Sequence, residues 1–400
     1  MINLSSHPAP AYRVVVNGQD ITSKISPRLI SLTLTDNRGL EADQLDITLS
    51  DHDSQLAIPP RRAQVDLWLG WSDTGLVYKG SYVVDETEHS GAPDTLSIRA
   101  RSADLRAELS RKRERSWHSV TLGDVLHTIA EAYSLKPVID VVLAALPLAH
   151  QDQANESDAN LLTRLAQEHD AIATIKAGHL LVTPVGAART ASGLALPHVQ
   201  FTRSSGDSHR FLQADRDAYT GVRAHYYQPN SAERLEALIG TDDNVKTLRH
   251  VYADQASALQ AVRSEWRRLQ RGAATLSYTL ARGRADLIPE MTFGLSGIKP
   301  EISAVVWLCR RVMHQVSESG YTVALELENQ LAEDGDLAAL VETEYTGVIA
   351  WYRDKDGNQQ KITEGDLTSP LRLTHLYASQ ASAERAVKRE FERLGNSYTS

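Results

Sequence analysis

Residues 28–53 read RLISLTLTDNRGLEADQLDITLSDHD. Ile30, Leu32 and Leu34 alternate with Ser31, Thr33 and Thr35. Leu45, Ile47 and Leu49 alternate with Asp46 and Thr48. A period of two puts one set of side chains on each face of a strand, so the pattern predicts two half-buried strands. Asn37 to Gly39 supplies the turn between them. The alternation recurs at Val65, Leu67 and Leu69, and again at Leu96, Ile98 and Ala100. Turn formers at Asn17-Gly18, Pro59-Pro60, Asp73 to Gly75 and Gly91 to Asp94 separate the runs. Short strands with regular turns predict a small β-barrel or sandwich over residues 9–105.

Beyond it, RKRER at Arg111 to Arg115 reads as a solvated linker. Spacing then becomes helical. Thr121 can cap a helix with Leu122, Val125, Leu126, Ile129 and Tyr133 on one stripe, stopped by Pro137. Ser157 can cap a second helix carrying Leu161, Leu162, Leu165 and Ala166. A hairpin follows, Ala171 to Ile175 and Leu180 to Thr183, with Ala177-Gly178 at its turn. These elements predict a small α+β domain over 117–187. A second β-rich segment is expected over 200–328, with a helix from Asp254 to Gln270 inserted. Leu259, Val262, Trp266 and Leu269 form its apolar stripe, and Asp254 is its cap.

The chain repeats part of itself. LRHVYADQASALQAVRSEWRRL, from Leu248, returns as LTHLYASQASAERAVKREFERL, from Leu373, with 13 identities in 22 positions. YTGV at Tyr219 returns at Tyr345. Residues 345–400 are therefore a partial repeat of strands plus a helix, and the acidic, Ala-rich 329–344 reads as a linker. Tyr345 to Arg353 and Asn358 to Thr363 would pair over Asp356-Gly357. Val387, Phe391 and Leu394 repeat the stripe Val262, Trp266 and Leu269. The later strands that follow the first copy are missing after the second, so this stripe is expected to dock elsewhere, on the second barrel, a neighbouring chain or another protein.

With 400 residues, the chain suits two to four domains. Lys and Arg number 42 against 51 Asp and Glu, a net charge of −9 that disfavours a dedicated nucleic-acid binder. Cys309 is the single cysteine, which excludes an internal disulfide and any multi-cysteine metal site, and fits a reducing cytoplasm. The N-terminal stretch MINLSSHPAPAYRV lacks a signal-peptide pattern. The longest apolar stretch, Val138 to Ala149, is interrupted by Asp140 and Pro147 and is too short to span a membrane.

Catalytic patterns are thin. There is no G-x-x-x-x-G-K-[ST], G-x-G-x-x-G or H-E-x-x-H. GLSG at Gly294 lacks a full nucleophile elbow, so Ser296 is expected in a turn. Asp51-His52-Asp53 has metal-capable groups, but neighbours on an extended chain diverge, which favours a polar turn. Glu86 and Glu88 can share a strand face without a partner carboxylate elsewhere. Cys309, in VVWLCRRV, reads as a buried strand residue. His250 and His375 recur with the repeat, which assigns them to its architecture. No catalytic, cofactor-binding or metal-ligating residue and no cofactor is expected.

Two long stretches carry a resemblance: NESDANLLTRLAQEHDAIATIKAGHLLVTP (Asn155–Pro184), and KTLRHVYADQASALQAVRSEWRRLQRGAATLSYTLARGRADLIPEMTFGLSGIKPEISAVVWLCRRVMHQVSESGYTVALELE (Lys246–Glu328). Over about residues 10–330 the chain resembles phage late control gene D proteins, the hub of contractile tails and R-type pyocins, related to the trunk of the type VI secretion spike. The resemblance implies a mainly β fold with two barrels of the tail-tube type, at 9–105 and 200–328, and an α+β insert. It implies a homotrimer in the baseplate, joining the six-fold tail tube to the three-fold central spike and touching other baseplate proteins. It carries no catalytic motif over. Such a protein is made in the host cytoplasm and ends in a phage tail or pyocin particle. The alternatives are a type VI-like hub or spike trunk, and a hub with cell-wall-degrading activity.

Overall fold

The computed structural model describes residues 7–102, 107–176, 178–190, 193–213, 219–228, 233–331, 347–354, 358–366, 370–377 and 379–396. It divides into two compact units, Met1–Ala237 with Asp243–Leu331, and Leu238–Asp242 with Ala332–Ser400. The expected linker 329–344 falls mostly outside the described residues, as do Leu105, Ala177, Tyr345, the Asp356-Gly357 turn and the side chains of His375 and Leu394.

The N-terminal segment of the first unit contains β1 (Pro10–Val16), β2 (Gln19–Asp20), α1 (Thr22–Ile25), β3 (Leu29–Asn37), β4 (Gln44–Ser50), β5 (Gln64–Trp71), β6 (Gly75–Ser90) and β7 (Thr95–Ser102). The α+β segment contains β8 (Lys112–Thr121), α2 (Leu122–Ala132), β9 (Lys136–Ile139), α3 (Val141–Ala144), β10 (Pro147–Ser157), α4 (Asp158–Glu168), β11 (Ala171–Lys176) and β12 (His179–Pro184). There follow β13 (His198–Thr202), β14 (Gly206–Gln213), β15 (Gly221–Gln228), β16 (Glu233–Gly240), β17 (Val245–Tyr252), α5 (Gln255–Gly272), β18 (Ala274–Leu280), β19 (Thr292–Ser296), α6 (Pro300–Ser303), β20 (Trp307–Ser317) and β21 (Gly320–Asn329). The chain is mainly β.

The expected alternation holds where it matters for packing. Leu32, Leu34, Leu45, Leu67 and Leu69 are fully buried, whereas Ile30 remains 42% exposed beside a register shift at the start of β3. The three helix caps read from sequence form. Thr121 accepts from Asp124 N in a capping box, Ser157 from Asn160 N, and Asp254 from Ser257 N. The apolar faces of α2 and α4 close over the sheet β11-β12-β9.

The larger surprise is how the β segments join. β1-β5-β6-β7-β4-β3 form one run of six strands, with the two-residue β2 added on β1, and β14-β18-β21-β20 with β19 and β13 form another. β3 pairs antiparallel with β20 from Ser31↔Ser317 to Asn37↔Arg311, so both runs belong to one 13-stranded sheet. Their side chains fill one core, in which Leu32, Leu34 and Leu67 share a cluster with Phe293, Trp307, Tyr321 and Leu325. Each such side chain removed from water is worth roughly 1.5–3 kcal/mol. Trp71 and Tyr321, one from each run, meet with ring centroids 5.8 Å apart and planes tilted by 37°.

Two sequence expectations need correction. RKRER is no linker, for Lys112 opens β8, which pairs along its length with β10. Arg113 and Arg115 there converge on the fully buried carboxylate of Asp158, at 3.1 and 3.5 Å. The α5 stripe is also rotated from the expected one. Val262 is fully buried, but Leu259, Trp266 and Leu269 are half-buried, and the deepest positions are Ala258, Ala261, Val262, Ser264 and Arg271. Small and polar side chains lie deepest because Ser264 Oγ donates to Glu168 O at 2.7 Å, at the end of α4.

The second unit contains β22 (Gly347–Arg353), β23 (Gln359–Gly365), β24 (Pro370–Tyr377) and α7 (Gln380–Asn396). Its sheet order β23-β22-β24 repeats β16-β15-β17, with the first and third strands parallel in each copy. A register shift falls at Arg223/His225 in one copy and at Ile349/Trp351 in the other. Val222, Ala224, Ala258 and Val262 are 0% exposed, and so are their counterparts Val348, Ala350, Ala383 and Val387. Of the stripe expected to dock elsewhere, Val387 packs on its own sheet, Phe391 is half-buried and the side chain of Leu394 lies outside the described residues. Ala383 and Val387 pack on Val348 and Ala350 of their own sheet, flanked by Tyr352, Ile362 and Phe391.

Val262→Ala and Val387→Ala should each cost about 1–3 kcal/mol through lost burial and the cavity left behind. The second unit has a small core, so V387A should abolish hydrogen-exchange protection over Ala383–Arg389 while β20 and β21 stay protected. Equal protection in wild type and V387A would contradict this packing.

Candidate functional site

The most elaborate side-chain constellation lies where β3, the α+β segment and β20–β21 meet. Asp36 continues the inward phase of Leu32 and Leu34 and is 6% exposed. Lys176 Nζ, from β11, reaches Asp36 Oδ1 at 2.8 Å and Asp43 Oδ2 at 3.5 Å. Lys79, from β6, lies 3.9 Å from Asp36 Oδ2 and donates to the carbonyls of Ala285 and Leu287 at 3.2 and 3.3 Å. Arg38 carries the junction across to the second run, with Glu290 and Glu328 each at 2.5 Å and the Cys309 carbonyl at 3.3 Å. Arg271 pairs in turn with Asp170 and lies 3.6 Å from Glu328, and Arg267 meets Asp170 at 2.9 Å. One network of ion pairs thus ties α5, the α+β segment and both strand runs.

Burial sets the titration of these groups. It pushes the Lys79 ammonium below its ordinary range, against the pull of Asp36. It pushes Glu290 upward, opposed by Arg38. Asp43 is pushed up to about 6 by burial and then by the charge of Asp36. Glutamates and aspartates held this way position segments against each other and present no free reactive group.

An open cleft of about 680 Å³ lies between the β5–β6 hairpin and the loop after β18, with Trp71, Val77, Phe201 and Arg282 on its walls. Arg282 stacks over Trp71 at 4.9 Å and pairs with Asp73 at 2.6 Å. The hairpin is tight: a Cβ on Gly70 would fall 1.9 Å from the Gly75 carbonyl oxygen. Next to the cleft, Leu76, Val77 and Tyr78 are 42%, 42% and 52% exposed, an apolar ledge on β6.

The residues singled out from sequence go to separate tasks. Asp51 is buried and accepts from Leu56 N at 3.0 Å, while Asp53 forms a fork with Arg28, both bonds at 2.6 Å. Arg28 holds the Asp53 carboxyl well below the usual range. Asp51 Oδ1 also lies 3.9 Å from Arg28, so both carboxylates of this turn face that guanidinium, while His52 lies 3.3 Å from Ser50 Oγ. Glu86 pairs with Arg99 at 2.6 Å, and Glu88 faces solvent. Cys309 is fully buried in β20, and burial pushes its thiol up, away from reactivity. Ser296 ends β19, its hydroxyl directed at the Phe201 carbonyl at 3.4 Å. His250 sits edge-on to Tyr252 at 4.9 Å. Among the described residues no group of three or more His, Cys, Asp and Glu side chains is arranged to hold a metal, and no helix is long and apolar enough to cross a membrane.

A large shared sheet, a charged junction and an apolar ledge are features of pairing and packing. Residues 37–320 match the family model of the phage tail baseplate hub, and the chain belongs to that family. It is 44% identical to the probable baseplate hub protein of Escherichia phage 186, over 83% of this chain and 96% of the relative. It is 42% identical to the probable baseplate hub protein of Escherichia phage P2, over 81% and 94%. The fold is shared with the tail protein from Neisseria meningitidis MC58, with a TM-score of 0.59 and 14% identity over 82% of this chain and 97% of that one. It is also shared with the 43 kDa tail protein of prophage MuSo2 from Shewanella oneidensis, with a TM-score of 0.58 and 13% identity over 79% and 97%. The chain is a baseplate hub protein of a phage tail.

Arg38→Met leaves Glu290 and Glu328 buried without their shared cation and should cost about 3–5 kcal/mol in denaturant unfolding. Asp43 gives a pH signature. Its folded pKa lies above the unfolded value of about 3.9, so its contribution is complete below that pH and is lost as pH rises toward 6. Unfolding curves between pH 4 and 6 should show wild type losing stability relative to Asp43→Asn.

Proposed function

We propose that this hub is a homotrimeric adaptor that joins the six-fold tail tube to the three-fold central spike. The observation that carries the reading is the pair of six-stranded runs joined through β3 and β20. One chain offers two such runs, so three chains offer six to a six-fold tube while keeping three-fold symmetry for a spike. On this reading the runs are two barrels of the tail-tube type, at 9–105 and 200–328. The α+β domain at 117–187 braces them, 329–344 is a linker, and 345–400 is an appended half-repeat. The chain is made in the host cytoplasm, assembles with spike, tube and other baseplate proteins, and acts without a cofactor.

We read it as non-catalytic. The engaged partners of Asp51, Asp53 and Glu86 and the burial of Cys309 support this.

Light scattering of purified hub mixed with spike should give three hub chains per complex. A stable complex of one hub and one spike chain would sink the adaptor reading. Substituting Asp51, His52, Glu86 or Cys309 singly should leave infectivity or killing intact wherever the protein folds and assembles. Loss of function in a fully assembled particle would reveal chemistry at that residue.

A further inference from the structure

The antiparallel pair β8–β10 carries a side-chain arrangement outside the charged junction and the cleft. His118 and His150 stand directly opposite each other across the two antiparallel strands. Both are exposed to solvent. Their Nδ1 atoms lie 3.0 Å apart, with ring centroids at 4.6 Å. On its far side, His150 Nε2 meets Asp152 Oδ2 at 2.9 Å. Asp152 Oδ1 in turn accepts from Ser116 Oγ at 2.6 Å.

This chain of contacts fixes a tautomer. A carboxylate accepting from Nε2–H leaves the Nδ1 lone pair of His150 to accept from His118 Nδ1–H, and an ion bound between the two nitrogens takes the place of that shared proton, which passes to solvent. Metal-ligating histidines are typically oriented this way, with a carboxylate behind the ring. Ser116 Oγ and His150 Nε2 both point at the Asp152 carboxylate, one on each oxygen, which fixes it behind the ring.

We propose that His118 and His150 form a two-imidazole site for a divalent transition-metal ion of the Cu(II) or Ni(II) kind, with Asp152 as the residue that orients His150. Nitrogen ligands sit about 2.0–2.1 Å from such ions. Two of them 3.0 Å apart enclose an angle near 94°, roughly the right angle of a tetragonal site and narrower than the tetrahedral angle of zinc. Cu(II) is also the strongest binder of the first-row series at nitrogen sites. Two protein donors leave the other positions to water. The strand pairing holds the donors in place before the ion arrives, so little ordering is needed on binding.

The test uses the full chain, titrated with Cu(II) and separately with Ni(II) at pH 7.5 by calorimetry. Electron paramagnetic resonance of the Cu(II) form counts the coordinated nitrogens. One saturable equivalent and a two-nitrogen spectrum are expected. His118→Asn and His150→Asn should each abolish that equivalent, and His52→Asn should leave it unchanged. Asp152→Asn should weaken it about 10–100-fold. If a variant misfolds, protection of both rings from imidazole acylation by the metal in wild type reads the same site. No saturable binding, or an equivalent that survives either histidine substitution, overturns the proposal.

Discussion

The β3–β20 ladder is the contact on which the other contacts of the first unit depend. It joins strands about 280 residues apart and makes two six-stranded runs continuous. Backbone pairing alone is tolerant of slippage, because a shift of one residue exchanges the two faces of a strand. Here the register is fixed from both sides. Leu32 and Leu34 must enter the shared core, and Arg38, just past the end of the ladder, must reach Glu290 and Glu328. A slipped β3 would take the guanidinium away from both carboxylates, leaving Glu290 with the Gly186 N–H and Glu328 with the more distant Arg271. The ionic network is weak as a source of net stability and strong as a penalty on wrong arrangements.

Local structure was legible in the sequence because it depends on neighbours. Thr121, Ser157 and Asp254 cap the helices whose stripes they precede, and the alternation through Leu45 and Leu67 gives strands with those faces buried. The 125-residue repeat predicted a second copy of the same unit, and its four most buried positions match the first copy side chain for side chain. What escaped was everything set by distant partners. RKRER looks solvated until Asp158 is brought to Arg113 and Arg115. The pairing of β8 with β10 closes around α2, β9 and α3, without a turn motif. Asp36 did leave a trace, since a carboxylate in phase with Leu32 and Leu34 breaks the apolar face. Its partners, Lys79 and Lys176, left none.

The two repeats diverge where their surroundings differ. The positions facing their own sheets, Ala258/Ala383 and Val262/Val387, are unchanged. Those that in the first copy touch the α+β segment or its charged junction are replaced. Ser264 becomes Arg389, Arg267 becomes Glu392 and Arg271 becomes Asn396. The helix keeps its internal packing and loses the chemistry that bonds its counterpart to Glu168 and Asp170. The second copy thus keeps the residues that face its own sheet and lacks those that bond the first copy to its neighbour.

A ladder between residues so far apart also dictates the timing of synthesis. At about 5–20 residues per second, β20 leaves the ribosome roughly 15–60 seconds after β3. During that interval the nascent first run has an unpaired outer strand whose neighbouring core is still missing Phe293, Trp307 and Tyr321. An open edge of this kind invites pairing with another nascent chain. The high sequence separation makes the final closure slow even after release. Yield of soluble hub should thus be governed by events on the ribosome, and slower elongation between β7 and β20 would lengthen the period of greatest exposure.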